Sequence, residues 1–264
     1  MQSEFLFQES IWLIAISFLL LLVICGELGY RLAGRHHPNA DDATRAQFSN
    51  IQNGIIGLLA LLLAFSFSMA VSRFQERKAM VITETNSIGT TWLRAQALPE
   101  PQGSASRALL IKYVDARIAY SNAGIDLARI AAAERDTVAL QGQLWAQALL
   151  LAAREDKAYP SQLYTVALND SIDMSAKRLA VMNDHVPETV LWMLILVSGV
   201  TLLTVGYGFG LGRKRSLFSL LSFALLIVLV MVLMLDFDRP RRGLIQVSES
   251  DFVSLRASMV PTPK

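Results

Sequence analysis

Four uninterrupted apolar runs, each long enough to cross a lipid bilayer, constrain this chain more than anything else in it. A bilayer core of roughly 30 Å is crossed by about 20 helical residues. The first run extends from Ile11 to near Tyr30 and is uncharged until Glu27. The second, Gly54 to Ser72, carries no charge in 19 residues. The third and fourth run from Val190 to Gly212 and from Leu217 to Leu235. None has a charge at its centre, so each inserts without the penalty of a lone ion in lipid. Residues 1–10 contain Glu4 and Glu9 but no Lys or Arg, so the first run lacks the basic leader of a cleaved signal peptide and reads as a retained span.

The spacing of the runs predicts an all-α protein with four transmembrane helices in a 2+2 arrangement. Residues 1–72 form an N-terminal hairpin and 188–236 a C-terminal one. Residues 73–187 form a helical extramembrane bundle inserted between spans two and three, and 237–264 form a polar tail. Strand signals are missing from the insert: there is no Asn-Gly or Asp-Gly hairpin and no sustained alternation. Helical periodicity predicts that span two continues as a polar helix to about Ala97. A turn follows at Pro99–Gly103, and Ser104 or Ser106 caps the next helix. Further helices are expected over about Ala132–Arg154 and from Pro160 until Pro187 ends or kinks the chain. The insert holds 13 Lys/Arg against 12 Asp/Glu, a mixed solvated surface and no nucleic-acid face.

Lys and Arg crowd the two short connectors, as Arg31, Arg35, Arg45, Arg213, Lys214 and Arg215. The other flanks carry Arg73, Arg77, Lys78, Lys177, Arg178, Arg239, Arg241 and Arg242 over greater length. The positive-inside rule then puts the connectors in the cytoplasm and the large domain in the periplasm of a bacterial inner membrane.

Catalytic signatures are few. His36, His37 and His185 are the only histidines, and no carboxylate pattern completes a metal site. No HExxH, GxSxG or Walker motif occurs. Cys25, the single cysteine, sits at lipid level as a small packed thiol. No enzyme, cofactor or metal is expected. Residues 201–208 (TLLTVGYG) match the potassium-filter signature, but they lie inside the only apolar run before the Arg213 connector. The competing reading is a packing face of Gly199, Leu203, Gly206 and Gly210.

Span two offers a better pore candidate. At helical spacing Asn50, Asn53 with Gly54, Gly57, Leu61, Ala64 with Phe65, Ser68 and Ser72 share one side, polar or small at both ends and apolar in the middle. Ile55, Leu59, Leu62, Leu63 and Met69 share the other. A wet path narrowed at Leu61 and Phe65 would gate by dewetting; alternatively the small residues serve helix packing.

Several strings resemble one family: GIIGLLALLLAFSFSMAVSRFQERK (54–78), ETNSIGTTWLRAQALPEP (84–101), LLIKYVDARI (109–118), LNDSIDMSAKRLAV (168–181), VGYGFGLGRKRS (205–216) and LDFDRPRRGLIQVS (235–248). Together they look like the bacterial bestrophin-like membrane family. The resemblance implies four spans, a helical insert and remote kinship to bestrophins, pentameric anion channels whose second span lines the pore. The chain lacks the bestrophins' acidic calcium-clasp run, and bestrophins keep the insert in the cytoplasm, opposite to the charge density here. Within these strings Asp236, Asp238 and Arg239 are expected to form a latch at the end of span four, against basic residues leaving span two. Pro240 stops that helix, and Gly243 permits a turn. Glu84 and Asn86 are expected in a pore vestibule or as polar contacts of the bundle. The reading favoured is a homo-oligomeric, pentameric anion channel whose partners are lipid and small inorganic ions. A non-conducting assembly or sensor module and a cation channel using 204–208 are the alternatives.

Overall fold

The computed structural model of the chain describes residues 10–36, 41–153, 158–213, 215–239, 241 and 245–259. Among them lie eight α-helices and no strand: α1 (Ile11–His36), α2 (Asp42–Ala95), α3 (Gln102–Asn122), α4 (Leu127–Ala152), α5 (Ala158–Met182), α6 (Glu188–Leu211), α7 (Leu217–Asp238) and α8 (Ser250–Ser258). Four of them, α1, α2, α6 and α7, are long and apolar enough to cross a membrane. The expected positions His37, Arg154, Lys214, Pro240, Arg242 and Gly243 lie outside the described residues.

The described residues form two compact units. The first contains the described residues of 10–73 and 185–239, with 245. Its core gathers Leu22, Leu59, Ala70, Leu194, Leu202, Ala224 and Met234. Here α1 packs along α6, and small residues set how closely. A Cβ on Gly206 would strike the backbone of Gly26, and one on Gly29 the carbonyl of Leu203. A Cβ on Gly210 would lie 2.6 Å from Ala33 Cβ and 2.7 Å from the Tyr30 carbonyl oxygen. Close approach of this kind maximises dispersion contact where lipid removes the hydrophobic drive. The packing-face reading of Gly206 and Gly210 therefore holds. The filter reading does not: residues 204–208 are helical inside α6, their carbonyls committed to the helix ladder, so no extended carbonyl ring can form.

The second unit contains the described residues of 74–184 with 241 and 246–259. Its core includes Ile88, Trp92, Leu110, Tyr113, Leu144, Leu151, Tyr164, Leu168 and Phe252. Helix α2 runs unbroken for 54 residues, as the absence of proline between Arg73 and Ala97 predicts. Three local expectations are corrected. Helix α3 starts at Gln102, before either serine, with Pro101 at its N-cap, while the Glu100 carboxylate just ahead of it accepts the Ser104 N–H of the first turn at 2.9 Å. Ser106 is instead buried. Helix α4 starts at Leu127 and not near Ala132, because Asp126 Oδ1 accepts the N–H groups of Ala128 and Arg129 at 3.0 and 3.1 Å. The C-terminal region is more than a polar tail: α8 buries Phe252, and Met259 beyond it is buried too.

Candidate functional site

In the first unit α2 has a covered and a bare side. Leu59, Ser66 and Ala70 are buried, and Ile56, Leu62, Leu63 and Phe67 pack partly against the core. The side singled out from sequence is bare from end to end: Asn53, Gly57, Leu61, Phe65, Ser68 and Ser72 are all exposed in the single chain. Leu61 is 52% and Phe65 65% exposed. A Cβ added at Gly54 or Gly57 would meet nothing within 4 Å. The small residues on this side thus do no packing within the chain.

At the end of α7, Asp236 and Asp238 are buried and answer backbone donors. Asp238 Oδ2 accepts the Val186 N–H at 2.8 Å and lies 3.7 Å from His185 Nδ1. Asp236 Oδ2 accepts the Ile245 N–H at 3.0 Å. Carboxylates held this way tie the chain before α6 and the chain after α7 to the end of α7. Arg239, next in sequence, is also buried.

In the second unit the covered side of α2 turns ionic. Arg77 is 1% exposed and donates to the carbonyls of Asp184 at 2.6 Å and Val181 at 3.4 Å, which serves carbonyls at and just past the C-terminal end of α5. Two turns on, Glu84 is fully buried between two guanidinium groups. Arg117 of α3 places Nε 2.7 Å from Glu84 Oε1 and donates from Nη2 to Oε2 at 3.0 Å. Arg178 of α5 donates to Glu84 Oε2 at 3.0 Å, to Glu249 Oε1 at 2.6 Å and to Ser121 Oγ at 3.3 Å. Aromatic faces complete the shell: Arg117 and Arg241 lie 5.0 and 4.2 Å from the Tyr120 centroid, and Arg178 lies 5.1 Å from that of Phe252. Burial opposes the Arg117 charge, but the pull of Glu84 outweighs it and holds the guanidinium above its ordinary pKa. Burial, with the Glu84 charge adding to it, pushes the neighbouring Tyr113 phenol up.

Of the two roles expected for Glu84, the structure places it as a polar contact of the bundle. Asn86, two residues on, is exposed and lines an open groove of about 680 Å³ with Gly89, Thr90, Leu93 and Ser254. The partners of Glu84 were not singled out from sequence. Arg117, Arg178 and Arg241 each sit inside a string that carries the family resemblance, and Glu249 follows one directly. An isolated charge within an otherwise amphipathic helix was the available signal; its convergence with others needed the fold. Among the described residues no group of three or more His, Cys, Asp or Glu is placed to hold a metal ion.

The model of the Bestrophin-like domain family matches residues 17–252, nearly the whole chain. The chain belongs to the bestrophin-like family, and its four long apolar helices make it a membrane protein. No curated protein and no solved structure matches it.

Proposed function

We propose that this chain is one subunit of a homo-oligomeric, anion-conducting channel, a pentamer, with the first-unit part of α2 around the central axis. The observation that carries this reading is the bare side of α2. Its residues are polar or small at both ends, and its glycines touch nothing in their own chain. A surface facing lipid alone has no use for Asn50, Asn53, Ser68 and Ser72. A surface facing an aqueous axis does, with Leu61 and Phe65 as the apolar constriction. In the same reading α1, α2, α6 and α7 span the inner membrane as two hairpins. The second unit stands outside lipid on the periplasmic side, with Asn86 towards the vestibule and the Glu84 cluster holding the bundle together.

The test is reconstitution. Purified protein in planar bilayers should pass anion current, and Leu61→Ala and Phe65→Ala should raise it. Silence across salts and pH, or monomeric or dimeric particles with this side of α2 sealed, would overturn the proposal. Fivefold particles would support it. Proteolysis at the Pro99–Gly103 turn from the periplasmic face alone tests the orientation.

A further inference from the structure

Beside the Glu84 cluster the second unit has a partly open cavity of about 60 Å³, lined by Tyr120, Ser121, Gly124, Arg178, Arg241 and Glu249 among others. At ~30 Å³ per water this is room for about two waters or one ion of a few heavy atoms. Its walls have two unmet needs. Arg178 is 1% exposed, yet its buried Nε–H meets no hydrogen-bond acceptor among the described residues. Glu249 Oε2 is buried and meets no donor among the described residues. Each such group costs free energy until something answers it. Among the described residues the charge of the cluster and cavity wall is also unequal: Arg117, Arg178 and Arg241 against Glu84 and Glu249, three positive to two negative.

A ligand that answers all three facts is small, carries one negative charge, and has both an acceptor oxygen and a hydroxyl. Chloride and nitrate only accept, and would set lone pairs against Glu249 Oε2. Water answers the hydrogen bonds but leaves the extra positive charge. A zwitterion such as glycine answers both ends yet brings no net charge. We propose that this cavity binds a small monovalent oxoanion that retains a hydroxyl, of the bicarbonate or dihydrogen phosphate type. Arg178 Nε–H and the Arg241 guanidinium donate to its oxygens, and its hydroxyl donates to Glu249. Tyr120 holds Arg241 in place from below. Because Glu249 precedes α8 directly, the bound anion fastens the C-terminal segment onto α3 and α5.

The experiment uses the full chain in detergent, so its failure is separate from failure to conduct. Bicarbonate, dihydrogen phosphate, nitrate, chloride and glycine are titrated at constant ionic strength, each anion at a pH where the monoanion dominates. Calorimetry and the thermal unfolding midpoint are read. A saturable response to bicarbonate or phosphate is expected, about tenfold tighter than to nitrate or chloride, the scale of one charge-assisted hydrogen bond. Whichever of the two binds more tightly identifies the class more narrowly. Arg241→Gln, on the partly exposed rim, should weaken binding about tenfold and leave the ligand-free midpoint near wild type. Glu249→Gln supplies an amide donor in place of the acceptor, and nitrate should then bind at least as tightly as bicarbonate. No saturable anion response, equal response to chloride, response to glycine alone, or an unchanged preference in Glu249→Gln would each overturn the proposal.

Discussion

Glycines at the α1–α6 seam and on the bare side of α2 share the first unit but are used in opposite ways. At the seam a single methyl on Gly29 or Gly206 would collide with backbone. On α2 a methyl on Gly54 or Gly57 would reach open space. The seam glycines fix a distance between two helices of one chain. The α2 glycines thin a surface that the chain leaves for something else. Within the second unit α2 also has a covered side, with Arg77 and Glu84, and a bare side, with Asn86 and Leu93.

The largest expected effect lies at Glu84. Removing one partner of a buried ion cluster leaves charges without compensation, a loss of about 3–5 kcal/mol. Glu84→Ala strands Arg117 and leaves Arg178 only Glu249 and Ser121, so its unfolding midpoint in detergent should fall sharply. Asn86→Ala, on the bare side, should stay within about 0.5 kcal/mol of wild type. Equal losses would erase the distinction between the two sides of α2. At the seam, Gly206→Ala must push α1 and α6 apart, an overpacking cost of about 1–3 kcal/mol. Gly57→Ala meets no neighbour within its own chain. It should leave the midpoint of the isolated subunit unchanged and alter only the assembled particle or its current. A large loss of subunit stability in Gly57→Ala would show that the bare side is covered after all.

Much of this division was legible in the sequence, because it rests on period and on residue size. The polar and small residues from Asn53 to Ser72 recur at helical spacing, and a helix without proline carries that spacing far. The glycines of 206 and 210 were legible as a packing stripe for the same reason. Helix ends were less legible. Asp126 caps a helix that begins earlier than apolar periodicity alone suggests, and the Glu100 carboxylate serves a first-turn N–H of another, since such groups act before the first buried residue appears. The ion cluster was the least legible part. Glu84, Arg117, Arg178 and Glu249 come from four separate segments. Each alone looks like a solvated charge in a mixed surface, and only the bundle brings them out of water. The helix at Ser250–Ser258 escaped for a related reason: nine residues with one large buried aromatic give little periodicity to read.

The smallest expected effect sharpens the comparison from the solvent side. Arg107 and Glu100 repeat the chemistry of Arg117 and Glu84 at a bare location, with Nη2 and Oε1 2.7 Å apart. The Arg107 hydrogen bond, aided by Ser104, lowers the Glu100 carboxyl from its usual 4.5 to about 2. A carboxyl lowered on folding stabilises the native state above its unfolded pKa, and the gain is lost as pH falls. The window here is therefore pH 4.5 down to about 2. Arg107→Gln should move the Glu100 titration up towards 4.5, with Ser104 retaining part of the shift, as read from the carbon-13 carboxyl signal. At neutral pH the unfolding midpoint should barely move, because water screens a pair held at the surface. A loss at neutral pH as large as that of Glu84→Ala would mean that geometry, and not burial, sets the worth of an arginine–glutamate pair in this fold.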